Sequence, residues 1–551
     1  MNNFQANIKI NFKSKCKKSA KKILSRIYLP KKDIGKKWYY TFLSKPILEN
    51  HIFYEAFAGL GVLDNPRALF KYLLSQKDFK NFIHVWSIDN MTLSEDNMKE
   101  FSSMDNVLFV QKDSKDYYKY LATSKYLISN STFGYFFEKR ECQIYINTWH
   151  GVPTKYMGYE HAIERVENAR GPARNFLAAD YLISANCFMT DIMYRRSYKL
   201  DGLFQGKVLE VGYPRLDSVI NPDQNEVCRN LNALGIKTDK KIILYAPTWK
   251  GNLYNQLDYN VDDFKKIIKQ LSSKTDNEIY RIYLRVHYFL YKILANDAEL
   301  KEMLIPFTID TNELLSVVDV LISDYSSIFF DFLPTKRPML FFVPDLEQYQ
   351  SGRGLYVPVD TLPGLVSSDL DKISVALHEI CQNPNEYTEK YQSLHDKMCE
   401  WCTYNDNGDA CKHLVDIIFR GNEGVTTPQV IIHGMPTKKK RVLICINTRC
   451  NSYSFLEEFR QSLSSIDYSS TDVTILTTPV KDEKLKEYFN TLPAEVRILV
   501  WYALPFPAKE NSAFFAREVV RTLGQVTFDE VRIAGNITPY WAGFANAVTI
   551  E

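Results

Sequence analysis

Two doubly wound α/β domains in tandem are what this sequence predicts, and three observations carry the expectation. Short apolar runs at 52–58, 82–88, 107–110, 126–128, 143–147, 181–184 and 207–211 are continuous, as in parallel strands buried on both faces. Helical stretches such as 66–74 and 117–122 lie between them, which gives a strand–helix rhythm. The rhythm then restarts after Asn221-Pro222-Asp223, with strands at 241–245, 280–286, 320–323 and 339–343 and helices at 261–271, 313–317 and 326–332. A length of 551 residues exceeds what one core supports, so several domains are expected.

The elements divide the chain as follows. Residues 1–37 form a basic segment. Residues 38–220 and 221–420 form the two Rossmann-like domains. Residues 421–440, with their Gly, Thr and Pro, read as a linker. Residues 441–551 start a third α/β unit, with a strand at 441–447, a helix at 455–463 and a strand at 472–477. No closing helix is evident in it, and it is expected to serve in association rather than in catalysis.

Composition narrows the function classes. Hydrophobic residues make up 45% and charged residues 24%, as in ordinary globular proteins. No apolar run is long enough for a membrane span, and no secretory signal opens the chain. Between Lys9 and Lys37 stand 12 Lys or Arg and one Asp, a net of +11 against +3 for the whole chain. Ala20, Ile23, Leu24, Ile27 and Tyr28 recur there at helical spacing, which suits an anionic membrane surface. Nucleic-acid binding and a solvated tail are the competing readings of that charge. The 10 cysteines form no regular framework. Cys399 and Cys402, with His395, Cys411 and His413 nearby, match no standard zinc spacing. The absence of a Gly-x-Gly-x-x-Gly or Walker loop argues against NAD or ATP chemistry. Asp369-Leu370-Asp371 stands at an apparent helix start, where acidic residues favour the dipole, and reads as structural. No cofactor and no metal are expected.

Open α/β sheets bind ligands beyond the carboxyl ends of their strands, so residues just after strands are the candidates. His150, flanked by Trp149 and Gly151, is placed as a general base, or else as a structural hydrogen-bond partner. Arg285, Val286 and His287 end a buried strand, and alternation puts Arg285 and His287 on one side, where both could meet an anion. Arg215 follows another strand, and its alternative use is an interdomain salt bridge with Asp217 or another carboxylate. Ser326 and Ser327 open a helix, suited to phosphate binding or to plain capping, with Asp331 one turn on. Pro247 and Thr248 offer a rigid turn with a hydroxyl.

The motif set resembles one family. Asn147-Thr148-Trp149-His150-Gly151-Val152-Pro153, Gly212-Tyr213-Pro214-Arg215, Tyr245-Ala246-Pro247-Thr248-Trp249 and Leu284-Arg285-Val286-His287 occur in that order. Ser323-Asp324-Tyr325-Ser326-Ser327, running on through Asp331, and Arg353-Gly354-Leu355-Tyr356 complete the set. Together they are similar to the CDP-glycerol glycerophosphotransferases of teichoic acid and capsule synthesis, over about residues 52–419. The resemblance implies a GT-B fold, peripheral attachment to the cytoplasmic face of the cell membrane and no nucleic-acid partner. It also implies transfer of glycerol or ribitol phosphate from CDP-glycerol or CDP-ribitol to a polymer or lipid-linked hydroxyl. It makes His150 the base, with His287 as a second catalytic group. Arg215, Arg285 and His287, aided by the helix start at Ser326 and Ser327, would neutralise the pyrophosphate, and Pro247, Thr248 and Asp331 would hold the nucleotide or polyol. Trp149, Gly151, Val152, Pro153 and Val286 would line the donor site. Val152 departs from the Thr of many relatives. The competing functions are a nucleotide-sugar glycosyltransferase of the same fold and a non-catalytic polymer-binding protein.

Overall fold

A computed structural model describes residues 31–161, 165–248, 261–422, 424, 430–446, 453–480, 482–502, 512–534 and 539–549. The basic segment up to Pro30, with its proposed amphipathic face, lies outside the described residues, as do Trp249 and Thr538.

Seven strands open the fold: β1 (Leu48–Glu55), β2 (Ile83–Ile88), β3 (Val107–Gln111), β4 (Ser124–Ser129), β5 (Ile144–Asn147), β6 (Tyr181–Ser184) and β7 (Lys207–Glu210). Five more follow: β8 (Lys241–Ala246), β9 (Tyr280–Leu284), β10 (Val320–Ser323), β11 (Met339–Phe342) and β12 (Leu365–Ser367). Within the segment read as a linker, β13 (Ile431–His433) forms, and the last unit contributes β14 (Lys440–Ile446), β15 (Thr471–Thr477), β16 (Arg497–Val500) and β17 (Glu530–Ala534).

The first sheet has the order β13-β7-β6-β5-β4-β1-β2-β3. It is parallel except for β13, which pairs antiparallel with β7 through Ile432 and Leu209. Alternation along each strand supplies two cores. Phe53, Val85, Leu127 and Tyr145 face one side, while Ile52, Tyr54, Trp86, Ile128 and Ile146 face the other. The order reverses between β1 and β4, so the ligand crevice of this sheet opens beyond those two strands. The second sheet, β12-β11-β10-β8-β9, reverses between β10 and β8. Two Rossmann-like sheets presenting their carboxyl ends to a shared cleft are the GT-B arrangement.

Two features depart from the linear division of the sequence. Cys411, Leu414, Val415, Ile417 and Ile418, at the end of the second domain in sequence, pack into the core of the first sheet beside Ile52 and Trp86. In the third unit, four parallel strands in the order β16-β15-β14-β17 are followed by a helix at Pro539–Thr549, where no closing helix was expected. Trp541 of that helix stands edge-on to the buried Trp501, with ring centroids 5.2 Å apart.

The third unit docks on the first domain through arginines that donate to main-chain carbonyls. Arg497 Nε donates to Lys199 O at 2.5 Å and its Nη2 to Asp201 O at 3.0 Å. Arg165 returns the pattern, donating to Leu492 O and Pro493 O. Asp369 caps the helix Leu370–Gln382 by accepting from Asp371 N–H, the structural role expected of that acidic triplet.

Candidate active site

The loop after β5 carries His150. Asn147, at the strand end, donates to Ser131 O and accepts from Trp149 N–H, and this turns the chain sharply enough to hold Trp149 at φ 49°. Trp149 O accepts from Asn65 Nδ2 at 3.1 Å. The Trp149 indole itself is buried among Phe176 and Tyr198 and stacks on the His150 ring at 4.2 Å. It therefore braces His150 from the core side, and Val152 is likewise a core side chain.

His150 is partly exposed, and its Nδ1 lies 2.6 Å from Asn130 O. A carbonyl only accepts, so Nδ1 carries the proton and Nε2 is left as the acceptor. Burial holds the imidazole below its usual pKa, with the Asn130 carbonyl and Asp64 opposing and Arg215 assisting. At neutral pH the ring is uncharged, the form a general base needs.

Beyond His150 the two domains touch. A Cβ built on Gly151 would stand 3.2 Å from Ser327 Oγ and 3.6 Å from Arg215 Nη2, so glycine keeps that approach open. Thr154 Oγ1 donates to Tyr325 O at 2.9 Å, and Tyr356 N–H donates to Thr154 O at 2.9 Å. Lys155 and Leu355 form an antiparallel bridge. The segment from Gly151 through Pro153 to Lys155 is thus a seam between the halves of the molecule.

Arg215 is the centre of that seam. Its Nη1 donates to Asp64 Oδ2 at 2.8 Å and to His150 O at 2.7 Å, and its Nη2 donates to Asp331 Oδ1 at 2.8 Å. At 4% exposure it is a buried cation held by one carboxylate from each domain. The sequence left open whether it binds an anion or a carboxylate. Its partners are Asp64 and Asp331; Asp217 instead caps the main chain at Ala410 and Cys411. Burial pushes the Asp331 carboxyl up to about 6 against the pull of Arg215.

The second sheet supplies the opposite wall. Asp324 accepts from Thr248 N–H at 2.7 Å, from Thr248 Oγ1 at 2.5 Å and from Ser326 N–H at 3.1 Å. This carboxylate sets the turn that carries Pro247 and Thr248 against the turn that carries Ser326 and Ser327. Both turns are partly exposed at the reversal of the sheet order. Strand β9 stops at Leu284, two residues before the expected end, so alternation does not extend to His287. Arg285 bends away to donate to Pro306 O, Ile309 O and Thr311 Oγ1 at 2.6–2.9 Å. Burial lowers its pKa to about 10, with Asp310 opposing. Val286 is core, and His287 is exposed. Arg285 and His287 therefore do not converge through strand alternation; the arginine fastens the 306–311 loop.

Sequence reasoning missed Asp64, Asn65 and Asn130. Asn65, fully buried, joins Trp149 O to Arg215 N–H. Asp64-Asn65-Pro66 at a helix start reads as capping chemistry, which conceals its part in the seam.

The comparisons with known proteins agree with the fold. The family model described as CDP-Glycerol:Poly(glycerophosphate) glycerophosphotransferase matches residues 38–420. A teichoic acid poly(glycerol phosphate) polymerase of Bacillus spizizenii is 33% identical over 382 residues, 67% of this chain and 92% of that protein. A teichoic acid glycerol-phosphate transferase of Staphylococcus aureus is 30% identical over 410 residues, 71% of this chain and 98% of that protein. A solved structure of a variant of the wall teichoic acid polymerase TagF, soaked with CDPG, is 28% identical with a TM-score of 0.60, over 75% of this chain and 98% of that one. The third unit lies outside the family match. The chain belongs to the CDP-glycerol:poly(glycerophosphate) glycerophosphotransferase family.

Proposed function

We propose that this chain transfers glycerol phosphate from CDP-glycerol, or ribitol phosphate from CDP-ribitol, to a hydroxyl of a polyol-phosphate polymer or its lipid-linked primer, releasing CMP. The observation that carries the reading is His150, held as a neutral ring with a bare Nε2 at the seam of two nucleotide-binding sheets. The acceptor oxygen attacks the β-phosphorus as its proton passes to Nε2. The bond from that phosphorus to the bridging oxygen breaks, and CMP leaves with the α-phosphate.

In this reading His287 and the turn at Ser326 and Ser327 face the donor phosphates, and Pro247 and Thr248 face the nucleotide. Arg215 and Arg285 act on the phosphates from behind protein partners, lending positive potential while they fix the loops. Asp331 serves through Arg215. Gly151 and Pro153 shape the entry, and Trp149, Val152 and Val286 support it from the core.

Attachment to the cytoplasmic face of the membrane belongs to the same proposal, and the product is a wall or capsular polymer. Among the described residues no helix is long and apolar enough to cross a membrane. The net +11 at Lys9–Lys37 favours an anionic lipid surface. Deleting residues 1–37 should move the protein to the soluble fraction, and salt should weaken binding of the full chain. Salt-independent membrane binding of the truncated chain would contradict this.

A donor panel tests the chemistry. CDP-glycerol and CDP-ribitol, with an oligo(glycerol phosphate) acceptor, should give CMP, and UDP-sugars should give no UDP. UDP release without CMP release would return the chain to the nucleotide-sugar reading.

A further inference from the structure

The first sheet reverses its order between β1 and β4, and the loops after these strands meet beside His150. The loop after β1 is strained. Phe57, Ala58 and Gly59 take left-handed φ values of 45°, 56° and 93° in succession. Two of the three carry side chains, which rarely adopt that conformation. Such a run persists only where neighbours over-determine it. Phe57 N–H donates to Asn130 Oδ1 at 2.8 Å, Ala58 N–H to Ser131 Oγ at 3.3 Å, and Lys112 Nζ to Ala58 O at 2.7 Å.

The strain leaves an aromatic ring in the open. Phe57 is 38% exposed, and its ring centroid lies 5.6 Å from that of His150. Its neighbour Phe53, on the same strand-loop unit, is fully buried. Asn130 holds both groups. Its carbonyl takes the His150 Nδ1 proton, its Oδ1 takes the Phe57 N–H, and its own Nδ2 is buried with no partner. Asn130 has no exposed surface, so that donor is costly to leave unused. A bare ring flanks the base at the point where the sheet opens its crevice.

We propose that Phe57, held in place by Asn130, forms the subsite that binds the terminal polyol-phosphate unit of the acceptor. The Phe57 face packs on the carbon chain of that unit, while Asn130, buried behind it, fixes Phe57 and His150 relative to one another. The free hydroxyl is thereby aimed at His150 Nε2. An aromatic face suits this unit because its carbons present C–H groups while its charge stays in water. The tethers of the subsite all come from first-domain loops, and the donor turns belong to the second sheet. The inference rests on the transferase reading above and adds the residues that select its acceptor.

The test is steady-state CMP release from CDP-glycerol, with synthetic oligo(glycerol phosphate) varied as acceptor. For Phe57→Ala the acceptor KM is expected to rise about tenfold, the loss of roughly 1.4 kcal/mol of contact. The kcat at saturating acceptor and the KM for CDP-glycerol should stay within about twofold of wild type. Phe57→Leu, which keeps bulk without a flat face, should show the same split, and Phe57→Tyr should restore the acceptor KM. An unchanged acceptor KM in both Phe57→Ala and Phe57→Leu, or a donor KM that rises in parallel with it, overturns the subsite. A wild-type enzyme that releases no CMP from either CDP-polyol overturns the transferase reading itself, a separate outcome.

Discussion

Arg215 and Arg67 are two buried arginines that both pin the first domain to the second, but only Arg67 has a second cation beside it. Arg67 meets Glu100 at 2.8 Å and Glu313 at 2.9 Å, and Lys71 reaches the same two carboxylates at 3.6 Å and 3.0 Å. Lys71 also reaches Glu226 at 3.7 Å, so two cations face three acids. Arg215 alone faces Asp64 and Asp331. The consequence shows in the acids. Burial would raise Glu313, but Arg67 and Lys71 pull it down to about 2, whereas Asp331 is left raised to about 6. In the peripheral cluster the second cation keeps Glu313 ionised, and that carboxylate contributes stability at neutral pH. The cluster under His150 has one cation for two buried carboxylates, and the raised Asp331 costs stability at neutral pH.

The largest effect that separates the two clusters is loss of the arginine. Arg215→Met leaves two buried acids with no cation and should cost about 3–5 kcal/mol, besides releasing the His150 loop. Arg67→Met leaves Lys71 in place and should cost visibly less. Urea unfolding midpoints of the two variants measure this, and equal losses would erase the contrast.

The pH dependence gives the next effect, with opposite signs. The Glu313 pKa is depressed, so its stabilisation is present above about pH 4.5 and is lost as pH falls toward about 2. The Asp331 pKa is raised, so the folded state holds its proton more tightly. Its penalty grows as pH rises from about 4 through about 6 and is fully present at pH 7. Each contribution is at most about 3 kcal/mol. Glu313→Gln should flatten the acid limb of a stability–pH curve, and Asp331→Asn should flatten the segment between pH 4 and 6, which urea titrations across pH will report.

A smaller effect is expected at Gly151. Gly151→Ala places a methyl 3.2 Å from Ser327 Oγ on a backbone at φ 159°, so turnover should fall about tenfold and the unfolding midpoint should drop by a modest amount. The smallest is Lys71→Met, which removes the more exposed cation of the peripheral cluster. It should cost about 1 kcal/mol or less and leave CMP release unchanged.

Much of this architecture is legible in the sequence because strands buried on both faces leave continuous apolar runs. Those at 181–184 and 320–323 coincide with β6 and β10 to the residue. The return of Leu414–Ile418 to the first core and the three-residue β13 leave no such mark, because each is too short to show a period and is defined only by its distant partner. In the site, His150 is legible as a histidine at a strand end. The commitments of Arg215 and Arg285 are not, because an arginine after a strand looks the same whether it meets phosphate, carboxylate or carbonyl. Asn130 and Phe57 were hidden for another reason. Their meaning lies in which two loops the reversed strand order brings together.

His150→Ala, assayed for CMP release from CDP-glycerol with oligo(glycerol phosphate) alongside calorimetric CDP-glycerol binding, tests the central claim most directly. The expected result is turnover reduced by about a thousandfold or more, with the donor affinity of wild type. Wild-type turnover in that variant would contradict His150 as the base and, with it, the site built around it.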